Sequence, residues 1–138
     1  LPAMGYKFEK LEVWSLAIEY TDAAYRIADA MPDGERYGLR SQLTRAANSI
    51  ALNVAEGSTS QSDAEQARFV GMAIRSLVET VACLHLIRRR EYLADASPLR
   101  DAYRQSEKLF AKLQAFRSAI RKGRVREDSP DYSSDPIA

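Results

Sequence analysis

From Tyr37 to Gly57 the apolar side chains recur at helical spacing. At 100° per residue, Leu39, Leu43, Ala46, Ile50 and Val54 fall on one large apolar stripe. Thr44, Ala47, Asn48, Ala51 and Ala55 make a face of small side chains, and Gln42, Arg45, Ser49, Asn53 and Glu56 make a narrow polar face. Asn and Ser lower helix propensity because they compete for the backbone's own hydrogen bonds. A helix that carries them beside a small-residue face fits packing on more than one side. A partly solvated face is the plainer alternative.

Three further segments share the helical period, giving predicted helices over about 9–30, 36–56, 62–92 and 97–121. The first aligns Leu11, Trp14, Ile18, Thr21, Tyr25 and Ala28, and stops at the turn-forming Met31-Pro32-Asp33-Gly34. Gly57 closes the second as a C-terminal glycine cap. Ser62 and Glu65 open the third in capping-box spacing. Ser97 as cap and Pro98 at the first helical position open the fourth. Residues 1–8 read as a disordered lead, with Leu1-Pro2-Ala3 a remnant ahead of a natural start at Met4, and 123–138 as a flexible, charged, Pro/Ser-rich tail. Short connections between four such helices predict an all-α fold, an antiparallel up-down-up-down four-helix bundle over 9–122. Its expected core includes Trp14, Leu43, Ile50, Ile74, Leu77, Val81, Leu84, Phe110 and Leu113.

Composition narrows the chemistry more than it defines it. The 138 residues suit one domain with a real core. A net charge of +1 gives no global field toward nucleic acid or acidic lipid. Arginine outnumbers lysine fifteen to five, which favours planar, bidentate pairing. The single cysteine, Cys83, forms no internal disulfide, and a cytoplasmic location is expected. No uninterrupted apolar run approaches a membrane span, so no membrane partner is expected. The lone histidine, His85, has Ala82 three residues before it, so the Glu-x-x-His pairs of carboxylate-bridged metal bundles are missing. The glycines are scattered rather than gathered into a phosphate-binding loop. The expectation is a protein that is not an enzyme, with no metal, no cofactor and no small-molecule substrate.

Two polar features are left. Gln42, Arg45, Asn48, Asn53 and Glu56 with Arg75 and Glu79 could form a network fixing helix register or a subunit contact, or be ordinary surface pairs. Arg88, Arg89 and Arg90 end helix three, while Arg117, Arg121 and Lys122 end helix four. Positive charge suits helix C-termini. The antiparallel arrangement puts the two clusters at opposite ends, so one subunit has no single nucleic-acid patch. A closed homo-oligomer would repeat them as two basic rims for structured RNA or a nucleoprotein. The alternative is a protein-scaffolding homo-oligomeric ring that binds no nucleic acid.

Tyr37-Gly38-Leu39, Gln42, Arg45-Ala46-Ala47-Asn48-Ser49-Ile50, Asn53 and Ala55-Glu56-Gly57 resemble the signature of four-helix-bundle proteins encoded within 23S rRNA intervening sequences. Phe8-Glu9-Lys10-Leu11 with Trp14, and Phe69 followed by Ser76-Leu77 and Glu79, are similar to that family's other landmarks. The resemblance covers about residues 6–93. Arg75 stands where the family pattern carries glycine. The family resembles accessory bundle proteins of diversity-generating retroelements, which are basic pentameric rings engaging nucleic acid and a reverse transcriptase. The resemblance therefore implies a homopentamer, and it carries over no catalytic residues.

Overall fold

Residues 5–123 are described by a computed structural model. They form four helices, α1 (Glu12–Ala30), α2 (Leu39–Gly57), α3 (Asp63–Arg89) and α4 (Ser97–Arg121). Each helix packs on its chain neighbours, and α4 closes the bundle against α1. The chain is an antiparallel four-helix bundle. The expected tail from residue 124 onward lies outside the described residues.

Several boundaries differ from the expected ones for identifiable reasons. Lys7–Lys10 form a separate 3-10 turn, and extended Leu11 leads from it into α1. Phe8 in that turn meets Trp14 edge-on at 4.6 Å, so the packed unit begins before residue 9. Helix α3 stops at Arg89 rather than near residue 92, because Glu91 turns left-handed at φ 55°. The Tyr92 and Glu91 N–H groups then bond back to the Ile87 and Arg88 carbonyls, a Schellman closure. At the start of α3, Ser62 Oγ accepts the Glu65 N–H at 3.1 Å, as the capping spacing requires. Ser97 is not the cap of α4 but its first residue. Asp95 accepts both its N–H (3.0 Å) and its hydroxyl (2.8 Å). Those two bonds hold the Asp95 carboxyl below its ordinary value.

Leu39, Leu43, Ala46, Ile50 and Val54 are buried, as are Ala47 and Ala51 on the small-residue face. Helix α2 is thus packed on two sides. The Thr21 hydroxyl of α1 donates within its own helix to the Ala17 carbonyl at 2.8 Å and lies 3.3 Å from the Ala47 carbonyl, and the Asn48 amide donates to Tyr25 Oη at 2.7 Å. On the other flank the Ser76 hydroxyl of α3 donates to Ser49 Oγ at 2.9 Å, and Asn53 Nδ2 reaches the same oxygen at 3.0 Å. Gly57 is helical and no left-handed cap. It gives space instead, since a Cβ there would sit 2.9 Å from Phe69 Cβ.

The core side of α1 is rotated from the expected line. Val13, Ala17, Tyr20, Ala24 and Ile27 point inward, while Ile18 and Tyr25 are exposed and Trp14 is half-buried. The alanines bring α1 close to its neighbours and push the bulkier row to the flank. Tyr20 tolerates full burial because its hydroxyl reaches Thr80 Oγ1 across the bundle at 2.7 Å. Thr80 donates its own proton to the Leu77 carbonyl, which makes Tyr20 the donor. Of the other expected core residues, Leu43, Ile50, Ile74, Leu77, Leu84 and Leu113 are buried. Val81 is only half-buried and Phe110 is exposed, because the α3/α4 flank opens into a groove at small, buried Ser106. Helix α3 is long and apolar enough by length and composition to cross a membrane, yet its apolar positions alternate between the bundle interior and this flank.

Gly57→Ala is expected to lower the unfolding free energy by about 1–2 kcal/mol, since the new methyl overpacks the α2/α3 contact. Gly34→Ala, with open space around the new atom, should leave the urea midpoint unchanged. Burial pushes the Tyr20 phenol up to about 12 from 10.0. The unfolded chain ionises first, so this contribution is complete below pH 10 and is lost between pH 10 and 12. Tyr20→Phe should cost about 1 kcal/mol at neutral pH and flatten that alkaline loss in melts followed by circular dichroism.

Candidate binding surface

One end of the bundle gathers the C-termini of α1 and α3 with the N-termini of α2 and α4. Its local chemistry begins at Glu35. Gly38 precedes α2 and offers no capping side chain, so Glu35 Oε1 accepts the Leu39 N–H at 3.0 Å. A Cβ on Gly38 would lie 2.8 Å from that oxygen, so the glycine makes room for the carboxylate. Glu35 Oε2 accepts the Tyr92 hydroxyl at 3.0 Å. The Leu39 and Tyr92 hydrogen bonds hold the Glu35 carboxyl below its ordinary 4.5, and the same contact raises Tyr92. Arg40 reaches back to α1, donating through Nε to the Ala28 carbonyl (2.8 Å) and through Nη2 to the Met31 carbonyl (2.9 Å). The Ala28 carbonyl also accepts the Met31 N–H at 3.2 Å, so Arg40 adds a second donor there and binds the Met31 carbonyl just past the helix.

Around this clasp stand the arginines. Arg88, Arg89 and Arg90 are exposed in the last turn of α3, and none makes an ion pair among the described residues. Arg88 faces Arg100 and Arg104 of α4 across a groove of about 450 Å³, floored by Leu84 and Leu99. His85 meets Tyr103 edge-on at 6.0 Å along the same groove, and Glu107 is the carboxylate in its lining. Arg104 is partly neutralised by Asp101 at 3.1 Å. The groove continues along the bundle past Val78, Val81 and Phe110.

The second basic cluster lies at the opposite end, as antiparallel helices require. Arg117 is half-buried, hydrogen-bonded to Gln114 at 2.6 Å and folded against Gly71 of α3, where a Cβ would come within 3.3 Å of Nη1. Arg121 lies in a hollow with Asp63 and Arg68. Lys122 is exposed.

The seven-residue polar network does not form within one subunit. Gln42, Arg45, Glu56, Arg75 and Glu79 point to solvent and make no side-chain hydrogen bond or ion pair among the described residues. Asn48 and Asn53 bond to Tyr25 and Ser49 instead. Arg75, where the resemblance led to an expected glycine, faces outward and is exposed. Residue types alone left Glu35, Tyr92, Arg40, Arg100 and Arg104 unremarked. The one available signal was Arg40, a cation in the first turn of a helix, where the dipole disfavours it unless it has acceptors elsewhere. Among the described residues no three His, Cys, Asp or Glu side chains are grouped as a metal site would need. Cys83 is buried, which pushes its thiol up.

An all-α bundle with paired helix ends, an arginine-bordered apolar groove and a solvent-facing polar stripe on α2 belongs to the class of four-helix-bundle proteins. The chain is a member of the 23S rRNA-intervening sequence protein family, whose sequence profile matches residues 9–115. That match runs into α4, further than the landmarks ending near residue 93, and stops short of Arg117, Arg121 and Lys122. Among curated proteins no significant match to the chain is found.

Glu35→Ala should melt at lower temperature than the parent chain at pH 7. A depressed carboxyl stabilises above its unfolded value and loses that effect as pH falls through its folded one. The difference between the two melting temperatures should therefore shrink as pH drops below 4.5.

Proposed function

We propose that this protein acts without catalysis, as a closed homo-oligomer that binds structured RNA or a nucleoprotein through arginine-rich surfaces repeated around the ring. The observation that carries the reading is the set Arg88, Arg89, Arg90 and Arg100. These are exposed guanidinium groups at one bundle end, without ion pairs among the described residues. Arginine at such a site suits phosphate, which it binds in bidentate fashion. The Arg117 and Arg121 end is the weaker candidate, since Arg117 is engaged against α3.

Assembly is supported by apolar side chains on the two flanks that meet at α2. Ile18 and Tyr25 are exposed on the α1 flank, Leu52 and Met72 on the α3 flank. Gln42, Arg45, Glu56, Arg75 and Glu79 surround them and have no role inside the subunit. A ring needs a heterologous contact between two different faces, and adjacent flanks of a four-helix bundle supply that wedge. Five subunits is the number carried by the family resemblance.

Light scattering should return about five times the 15.5 kDa chain mass, and Leu52→Glu should return single chains. RNA affinity should fall log-linearly between about 50 and 200 mM salt. Arg88→Glu with Arg100→Glu should weaken it at least tenfold and flatten the salt slope. An oligomer with no RNA affinity at low salt would leave the protein-scaffolding ring as the reading.

A further inference from the structure

The α3/α4 groove combines two properties that a bare phosphate backbone does not match. Its floor is apolar, formed by Leu84 and Leu99 and continued by Val78, Val81 and Phe110, while Arg88 and Arg100 stand at its border without ion pairs among the described residues. Its complement is an extended segment bearing both carboxylates and apolar side chains. The chain contains such a segment beyond α4. Residues 127–138, Glu-Asp-Ser-Pro-Asp-Tyr-Ser-Ser-Asp-Pro-Ile-Ala, carry four carboxylates and no basic side chain, with Tyr132 and Ile137 as apolar groups. Pro130 and Pro136 restrict the backbone toward extended conformations, which reduces the entropy lost on docking.

The reach is sufficient. From the end of α4 back to Arg100 is about 32 Å at 1.5 Å per residue. Residues 124–138 span about 50 Å when extended. Counted from Gly123, an extended run brings Tyr132 about 30 Å along, level with Tyr103, and carries Asp135 about 40 Å, past the height of Arg100, so the segment reaches that arginine with slack.

We propose that residues 127–138 of this chain dock in the α3/α4 groove of their own bundle, with Tyr132 over the apolar floor and acidic side chains on Arg88 and Arg100. The docking stands independently of RNA binding. Occupied in this way, the groove's arginines are covered from within the molecule.

The full-length protein offers two direct readouts. His85 is the one histidine in the sequence, so ¹³C-histidine labelling gives a single ring resonance inside the groove. Replacing Glu127, Asp128, Asp131 and Asp135 together by their amides should shift that resonance, and 0.5 M salt should move the parent chain toward the variant. Carbodiimide coupling supplies the geometry. In an Arg100→Lys chain, carboxylates of 127–138 should couple to the new amine at least tenfold more than in an Arg75→Lys chain, whose amine lies on the α2/α3 flank. Mixing ¹⁵N-labelled and unlabelled protein should show the couplings within single chains. Equal coupling at the two positions, couplings that join two chains, or a His85 resonance indifferent to the amide substitutions would overturn the proposal.

Discussion

Everything in this bundle adjusts to the confinement of α2 between two neighbours. Its alanines and Gly57 let the backbones of α1 and α3 come near, and large side chains on both flanks would force them apart. Proximity on two sides leaves polar groups such as Ser49 and Asn53 away from water, so Asn53 bonds back to Ser49 one turn earlier and Ser49 bonds across to α3. Ser76 meets Ser49, and Tyr25 meets Asn48. The weak helix propensity of α2 is offset by these contacts. Its unusual composition is therefore a packing requirement, and the helix depends on its neighbours for stability.

The charge distribution follows from where arginine side chains are already engaged. A net charge of +1 hides a strong local contrast. Arg40 is absorbed by the carbonyls of α1 and Arg117 by the α3/α4 contact, whereas the last turn of α3 leaves its guanidinium groups in water. Counting charges along the chain treats these groups as equivalent. Their hydrogen bonds separate them into structural and available ones, and three available ones, Arg88, Arg89 and Arg90, are consecutive at the end of α3.

The sequence made the four helices and most of the buried stripe of α2 legible, because apolar periodicity over long segments is hard to mistake. It was less informative about α1. There the largest apolar residues, Ile18 and Tyr25, occupy a flank while small Ala17 and Ala24 face inward, so size misled where position decided. Phe110 and Val81 looked like core because the period ignores the gap opened by Ser106. The Glu35–Tyr92 clasp joins residues far apart in the chain and has no local pattern. Gly57 was expected as a helix cap and is instead a point of close packing, while Gly38 stood out only as part of the family signature. What constrains them, Phe69 in one case and the Glu35 carboxylate in the other, is visible only in three dimensions.

The back-reaching Arg40 also shapes how the molecule breathes. A helix terminus normally frays residue by residue, its last carbonyls exchanging protein partners for water. Here the final carbonyls of α1 are held by a side chain rooted in the first turn of α2, and that turn is anchored in turn by Glu35 to the segment after α3. Loosening any one of these strands of the knot removes acceptors or donors from the others. Three helix ends are thereby tied to one another by side-chain hydrogen bonds. In hydrogen exchange the amides of Leu39, Tyr92 and Met31 would then be released together rather than one by one.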